Sequence, residues 1–363
     1  MAIIVATALE GAEKPDPELA ASVVRQALSK AGTGIARSVL LFLSSEFARH
    51  AQAAVAAASR AANCLQVLGC TAPGVFNEDD WIIDRPGATA MVMAGDAWMA
   101  PTEGHPDPTL CLAEPSAATM TWLSGPSPRF GMLSADGGPR HPGKVWGHAK
   151  VAEEGRYEAR MHGVRGAIGL SRGIRILSPL LQVTQSSGYD ITRLDGYPAL
   201  NTLLRELPLE LRGQPSLPMH MLFAGVVHGD PPQAIEEGRY NLVPLIGTAT
   251  DERSVTLGAP IEAGARLFWS MRSALAAERD TRLMLDQLDA QLGDTPDFGV
   301  LFPCIGRGPY FFDGIDRDLD LLRLRHPRLP IIGAYSAGEI APSSDGTRIL
   351  HNCAVLGLFK GLS

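Results

Sequence analysis

What the chain has little of narrows its roles first. It holds five cysteines, Cys64, Cys70, Cys111, Cys304 and Cys353, an odd number with no C-x-x-C pair. That pattern suggests neither a zinc cage nor a disulfide framework. No apolar run approaches the roughly 18–20 residues that span a bilayer, so no membrane segment is expected. The start, Met1-Ala2-Ile3-Ile4-Val5-Ala6-Thr7, has no basic leader and too short an apolar run for export, so a cytoplasmic protein is expected. Basic residues are scattered. The one compact group, Arg323, Arg325 and Arg328, reads as a solvated helix face. With a net charge of −7, the chain is not expected to bind nucleic acid by neutralising phosphates. H-E-x-x-H, G-x-S-x-G, kinase-type, G-x-x-x-x-G-K-[ST] and G-x-G-x-x-G signatures are all missing. His141, His148 and His162 stand at no metal-ligand spacing, and no cofactor or metal is expected.

What is present reads as an α/β (α+β) protein. A length of 363 residues sets a prior of about two domains, and 45% hydrophobic with 20% charged residues is enough for two proper cores. The stretch from Val300 to Phe359 carries two Gly-punctuated loops, Cys304-Ile305-Gly306-Arg307-Gly308 and Gly333-Ala334-Tyr335-Ser336-Ala337-Gly338-Glu339. Each follows a short buried-strand run, Phe298–Phe302 and Leu329–Ile332, with a helix over Ile315–Arg325 between them that Asp313 can cap. If the two strands are parallel, both loops lie at their carboxyl ends, where pockets in such sheets form.

The two ends of the chain repeat one design. Helix from Asp16-Pro17 to Gly32, strand Ser38–Leu43, helix Phe47–Ala62, strand Leu65–Leu68 and a Gly turn from Gly69 to Gly74 precede strands near Trp81–Ile83 and Ala88–Ala94. Helix Ser273–Leu292, strand Phe298–Phe302, helix, strand, Gly turn and a last strand Ile349–Phe359 follow the same order. Val67-Leu68-Gly69-Cys70-Thr71-Ala72-Pro73-Gly74 aligns with Ile331-Ile332-Gly333-Ala334-Tyr335-Ser336-Ala337-Gly338, glycines in register. Two related halves with mixed sheets flanked by helices, a pseudo-twofold duplication, are expected. The middle is mostly β, with a turn cluster at Gly138–Gly143. Leu209–Pro218 reads as a linker and places a boundary near residue 215, dividing the chain into 1–214 and 215–363.

Several loop residues are candidates for chemistry, each with a plainer structural use. Gly306 and Gly308 let the backbone approach a ligand, and Arg307 between them can clamp a carboxylate or tie two loops together. Glu339, after Gly338, can hold an ammonium group or pair with Arg307. Tyr335 offers a ring wall or core packing. His351 and Asn352, at the start of the last strand, can reach a ligand or serve a turn. Cys304 with His351 and Glu339 could form a Cys-His-acid set, or Cys304 is a small buried hydrophobe.

These motifs resemble the FIST family, the sensory module of bacterial signalling proteins. The likeness rests on Cys304-Ile305-Gly306-Arg307-Gly308, Gly333 to Ile340 and Leu350-His351-Asn352. It rests also on Leu68 to Gly74, Val183-Thr184 and Leu194-Asp195-Gly196-Tyr197-Pro198-Ala199-Leu200. It runs over roughly residues 17 to 358 and would make 1–214 a FIST N-like and 215–363 a FIST C-like domain. The family typically carries a longer helical insert where Gly138–Gly143 stands. The resemblance implies a non-catalytic sensor of a small polar metabolite such as an amino acid. Cys304, Gly306, Arg307, Gly308, Tyr335, Gly338, Glu339, His351 and Asn352 are then its ligand-site candidates. Only about 15 residues precede the first helix and no output module or F-box fits, so a separate signalling partner is expected. An enzyme using Cys304 and His351, and a scaffold without a small ligand, are the alternatives.

Overall fold

The computed structural model describes residues 3–101, 108–124, 128–138, 141–212, 216–236, 238–343 and 346–362. The described chain forms two compact units, one of residues 1–172 and 278–363 and one of residues 173–277.

In the first unit the strands before the break are β1 (Ile3–Gly11), β2 (Ser38–Ser44), β3 (Val67–Ala72), β4 (Gly74–Asn77), β5 (Trp81–Ile83) and β6 (Gly87–Gly95). They continue as β7 (Trp98–Pro101), β8 (Thr109–Ala113), β9 (Arg129–Leu133), β10 (Val145–Gly147), β11 (Lys150–Val151), β12 (Arg156–His162) and β13 (Val164–Ser171). The second unit holds β14 (Ile174–Ile176), β15 (Leu181–Ser187), β16 (Asp190–Leu194), β17 (Tyr197–Pro198), β18 (Leu222–Val227), β19 (Tyr240–Ala249), β20 (Ser254–Leu257) and β21 (Arg266–Arg272). Back in the first unit come β22 (Phe298–Pro303), β23 (Ile331–Tyr335), β24 (Glu339–Ser343), β25 (Gly346–Leu350) and β26 (Ala354–Gly361).

The duplication is written in the pairing. One six-stranded sheet runs β1-β6-β2-β3-β10-β11 and another runs β13-β26-β22-β23-β4-β5. In both, the third and fourth strands are parallel and every other neighbour is antiparallel. The registers agree residue by residue: Leu41 lies opposite Gly69 and Ala90, and Leu301 opposite Gly333 and Leu356. Gly69 and Gly333 are therefore equivalent, as their sequence alignment predicts. Each faces an aromatic residue on the added hairpin, Trp146 opposite Gly69 and Phe76 opposite Gly333. A Cβ on Gly333 would lie 2.0 Å from the Phe76 ring, and one on Gly69 1.7 Å from the Leu41 carbonyl oxygen, so the glycines are steric requirements. The equivalent residues Phe42 and Phe302 meet edge-on with ring centroids 5.7 Å apart, as residues beside a pseudo-twofold axis do.

No strand is expected before the first helix, yet the opening run of small and apolar residues forms β1, the edge strand that pairs with β6. Strand β2 is buried along its whole length, which fits its unbroken Val-Leu-Leu-Phe-Leu run between two packed faces. Helix Pro17–Ala31 begins at Asp16, whose side chain accepts from Glu18 N–H, and ends at left-handed Gly32. It packs, with the alanine-rich helix Ala51–Ala62, on one face of the first sheet through Val23, Ala27, Ala54 and Val55. Helices Ala274–Leu292 and Arg317–Arg325 cover the matching face of the second sheet through Leu285, Leu288, Leu319 and Leu322. The inner faces share one core of Leu40, Phe42, Met91, Phe298, Val300 and Phe302, completed by Phe130 and Met132 of a third sheet, β25-β24-β9-β8-β12-β7.

Three local expectations change. The stretch after Gly69 is strand, not turn, up to Ala72, and likewise Gly333 to Tyr335. Asp316 rather than Asp313 caps the helix, accepting from Leu319 N–H at 3.0 Å; Asp313 is left-handed and closes the preceding turn. The last expected strand is two strands, β25 and β26, broken at left-handed Asn352.

The second unit is a closed antiparallel ring, β21-β15-β16-β20-β19-β18, with β18 pairing back to β21. Its core centres on Trp269, whose indole N–H donates to Thr202 Oγ1 at 3.0 Å. The compact units thus divide the chain elsewhere than at residue 215. The residues on either side of that point both belong to the ring unit, because β15 and β16 before it pair with β21 and β20 after it. Gly213 to Pro215 of the expected linker, and Pro139 and Arg140 of the Gly138–Gly143 cluster, lie outside the described residues.

Candidate functional site

Strands β22 and β23 are parallel, so both Gly-punctuated loops do stand at one edge of the second sheet. Their side chains, however, turn inward. Arg307 is 1% exposed, and its Nε and Nη2 donate to the two Asp318 oxygens at 2.8 and 3.0 Å. Nη1 donates to the Ser171 carbonyl at 2.9 Å, and Nη2 shares its two hydrogens among Asp318, Ser171 Oγ at 2.6 Å and Thr281 Oγ1 at 2.8 Å. Asp318 raises the guanidinium's pKa against the lowering effect of burial. By strand register Arg307 stands where the first half has Phe47, a fully buried core residue. The arginine closes a packed interior and ties its loop to the strand end and two helices; it is not presented to a ligand.

Glu339 is 0% exposed and does not meet Arg307. Its carboxylate accepts from Ser336 Oγ, from Cys353 N–H at 3.2 Å and from Cys353 Sγ at 3.0 Å. Burial pushes its pKa up to about 7, with these donors pulling the other way. Burial, followed by the Glu339 carboxylate's charge, pushes the Cys304 thiol up to about 12. The shared, solvent-reachable hollow expected for Arg307 and Glu339 is therefore absent. Each group is buried among its own partners.

The other candidates divide. Tyr335 is buried against Phe76 at 5.1 Å, and its hydroxyl donates to Asp316, whose pKa burial raises to about 6. Gly308 leaves room for the Tyr335 ring and Gly338 for the His351 ring, 3.1 and 3.0 Å from a built Cβ. His351 is exposed with its ring packed over Gly338; desolvation of the packed part lowers its pKa, with the Ala337 backbone pulling the other way. Asn352 serves the turn before β26. Gly306 is half-buried in the turn Ile305–Arg307. The His351 ring lies over Gly338, and no hydrogen bond among the described residues joins it to Cys304, so the two do not form a hydrogen-bonded nucleophile–base pair.

An open cleft of about 940 Å³ lies at the equivalent edge of the first sheet. It is bounded by Gly11 at the end of β1 with Glu13 and Pro15 beyond it, by Glu46, Ala48, Arg49 and His50 after β2, by Asp84 to Pro86 before β6, and by Gly137 with His141. Counting along the matched strands, Glu46 occupies the place of Gly306, Arg85 that of His351 and Pro86 that of Asn352. Arg85, Glu13 and Glu46 make no hydrogen bond or ion pair among the described residues, and all three are exposed. Gly11 lets the Arg85 guanidinium lie close over the end of β1, with Cζ 3.3 Å from a built Cβ. Arg49 Nε donates to His141 Nε2, and the Tyr310 hydroxyl donates to Asp84. Both signs of charge therefore line one concave surface. Sequence reasoning missed it, although the repeat that aligns the two halves points to this edge as the counterpart of the loops it chose. Among the described residues no group of three or more His, Cys, Asp or Glu is placed to hold a metal ion.

Residues 199–342 match the model of the FIST C domain. That domain belongs to a family of signal-transduction sensory proteins. The matched stretch starts in the ring unit and ends in β24, so it includes residues of both compact units. Two uncharacterized proteins from strains of Mycobacterium tuberculosis are each 30% identical over 211 residues, covering 58% of this chain and 55% of theirs. An uncharacterized Mycobacterium bovis protein is likewise 30% identical over 211 residues, with 54% of its length covered. The match thus spans about half the length of these relatives. No helix among the described residues is long and apolar enough to cross a membrane.

Proposed function

We propose that this chain is a non-catalytic sensory protein that binds a small zwitterionic metabolite, an amino acid, in the cleft of the first sheet. We place it in the cytoplasm, signalling through a separate partner protein. The observation that supports this is the combination of unpartnered Arg85 with unpartnered Glu13 and Glu46 around one open cleft. A guanidinium holds a carboxylate through paired N–H donors, and a carboxylate holds an ammonium group. A cavity of several hundred Å³ suits a metabolite of that size. The first half is read as the FIST N-like partner of the FIST C domain. Signalling requires that occupancy favour one arrangement of the protein over another.

The test is a thermal-shift screen of the full chain against the amino acids, followed by calorimetry on any hit. Stabilisation by one or a few of them, lost in Arg85→Ala and Glu46→Ala, is the expected result. A folded protein that none of them stabilises would overturn the reading.

A further inference from the structure

The second half places two sulfurs where the first half has none. The ladder between β22 and β26 ends on Pro303 opposite Ala354, and the next rung pairs Cys304 with Cys353 through Cys304 N–H to the Cys353 carbonyl at 2.8 Å. The matching rung of the first half is Ser44 and Gly87, where Gly87 N–H donates to Ser44 Oγ at 3.0 Å. Residues opposed on antiparallel strands carry their side chains on one face, with Cα atoms about 5.5 Å apart in a hydrogen-bonded rung. Disulfides favour Cα separations of about 5.5–6 Å. Both sulfurs also lie near one carboxylate: Cys353 Sγ donates to Glu339 at 3.0 Å, and the Glu339 charge reaches the Cys304 thiol. No cation pairs with Glu339 among the described residues, which leaves an isolated buried acid beside two thiols. Buried ionisable groups without a counter-charge are costly, so a proton-handling use is the physical reason to look for.

We propose that Cys304 and Cys353 are a reversible dithiol modification site, oxidised by a hydroperoxide to a disulfide with Glu339 as proton acceptor. Glu339 takes the Cys304 thiol proton; the sulfur attacks one peroxide oxygen, the O–O bond breaks, and with hydrogen peroxide the leaving hydroxide departs as water with that proton. Cys304 is then a sulfenic acid. Cys353 next passes its proton to Glu339 and its sulfur attacks Cys304 Sγ. The S–S bond forms, the S–O bond breaks, and hydroxide leaves as water. Two thiols lose two electrons and two protons, and the peroxide becomes two waters. Cys304, 7% exposed beside half-buried Ile305 and Gly306, is the sulfur nearer solvent; Cys353 is 1% exposed and resolves. The proposal does not depend on the ligand reading of the cleft.

The experiment uses the full chain carrying Cys64→Ser, which removes the half-buried thiol that would react in the background. Folded protein is treated with hydrogen peroxide, alkylated, digested and analysed by mass spectrometry. The expected product is one peptide pair joined through Cys304 and Cys353, two hydrogens lighter than its parts and released by dithiothreitol. Glu339→Gln, checked as folded by circular dichroism, is expected to form it at least tenfold more slowly. Absence of the linked pair at peroxide exposures that oxidise Cys64 in the parent chain overturns the proposal. So does its appearance only in urea-unfolded protein, or an unchanged rate in Glu339→Gln.

Discussion

The Arg307 guanidinium and the Asp318 carboxylate meet through two hydrogen bonds of 2.8 and 3.0 Å, with both side chains 1% exposed. A buried pair of this kind costs much desolvation when formed, yet breaking one side leaves a bare charge. Arg307→Met alone is expected to cost about 3–5 kcal/mol in urea unfolding. Arg307→Met with Asp318→Leu should recover most of that loss, since the first half fills the same place with Phe47. Equal loss in the single and double variants would show that the pair is not the coupled unit seen here.

Glu339 gives stability a pH dependence of definite sign. Its folded pKa of about 7 stands above its usual 4.5, so the folded state holds a proton that the unfolded chain releases. Stability from this group is full below pH 4.5 and is lost as pH rises toward about 7. Asp316, raised from 3.8 to about 6, acts in the same direction over a lower window. Unfolding measured from pH 5 to 8 should therefore show a decline that is shallower in Glu339→Gln. A wild-type curve without that decline contradicts the prediction.

The two aromatic-facing glycines should be intolerant of a side chain. Gly69 has φ of 156° and its Cβ would overlap a backbone oxygen, while the Gly333 Cβ would overlap the Phe76 ring. Alanine at either position is expected to destabilise by about 2–4 kcal/mol. Thermal melts of Gly69→Ala and Gly333→Ala decide it. Phe76→Leu should partly offset the second change and leave the first untouched.

In the cleft, substitution should change binding without changing the fold. Arg85→Ala and Glu46→Ala remove exposed, unpartnered charges, so their melting curves without ligand should match the parent. Each is expected to weaken a zwitterionic ligand by about 10-fold or more, the order of one charge-assisted contact. A matching loss in affinity for both variants would fit a ligand held at both ends.

Much of this was legible from residues. Unbroken apolar runs marked β2 and β22, Asp16-Pro17 and Gly32 bounded a helix, and the Gly69–Gly333 alignment marked the repeat. The side chains' directions were not legible. An arginine between two glycines reads the same whether it faces solvent or the core, and its partner Asp318 sits on a helix that offered no separate signal. The closed ring escaped notice because its closing rung joins β18 and β21, strands far apart in the chain.

One feature of the connectivity bears on how such a protein can vary. In the first half β1 passes to its helix through residues 12–16, whereas in the second half β13 passes to the matching helix through residues 172–273, which hold the ring. A junction that a handful of amino acids can bridge has instead accepted an entire folded module. Every strand of the twinned sheets finds its partners outside residues 172–273, so the sheet ladders place no demand on what that junction carries.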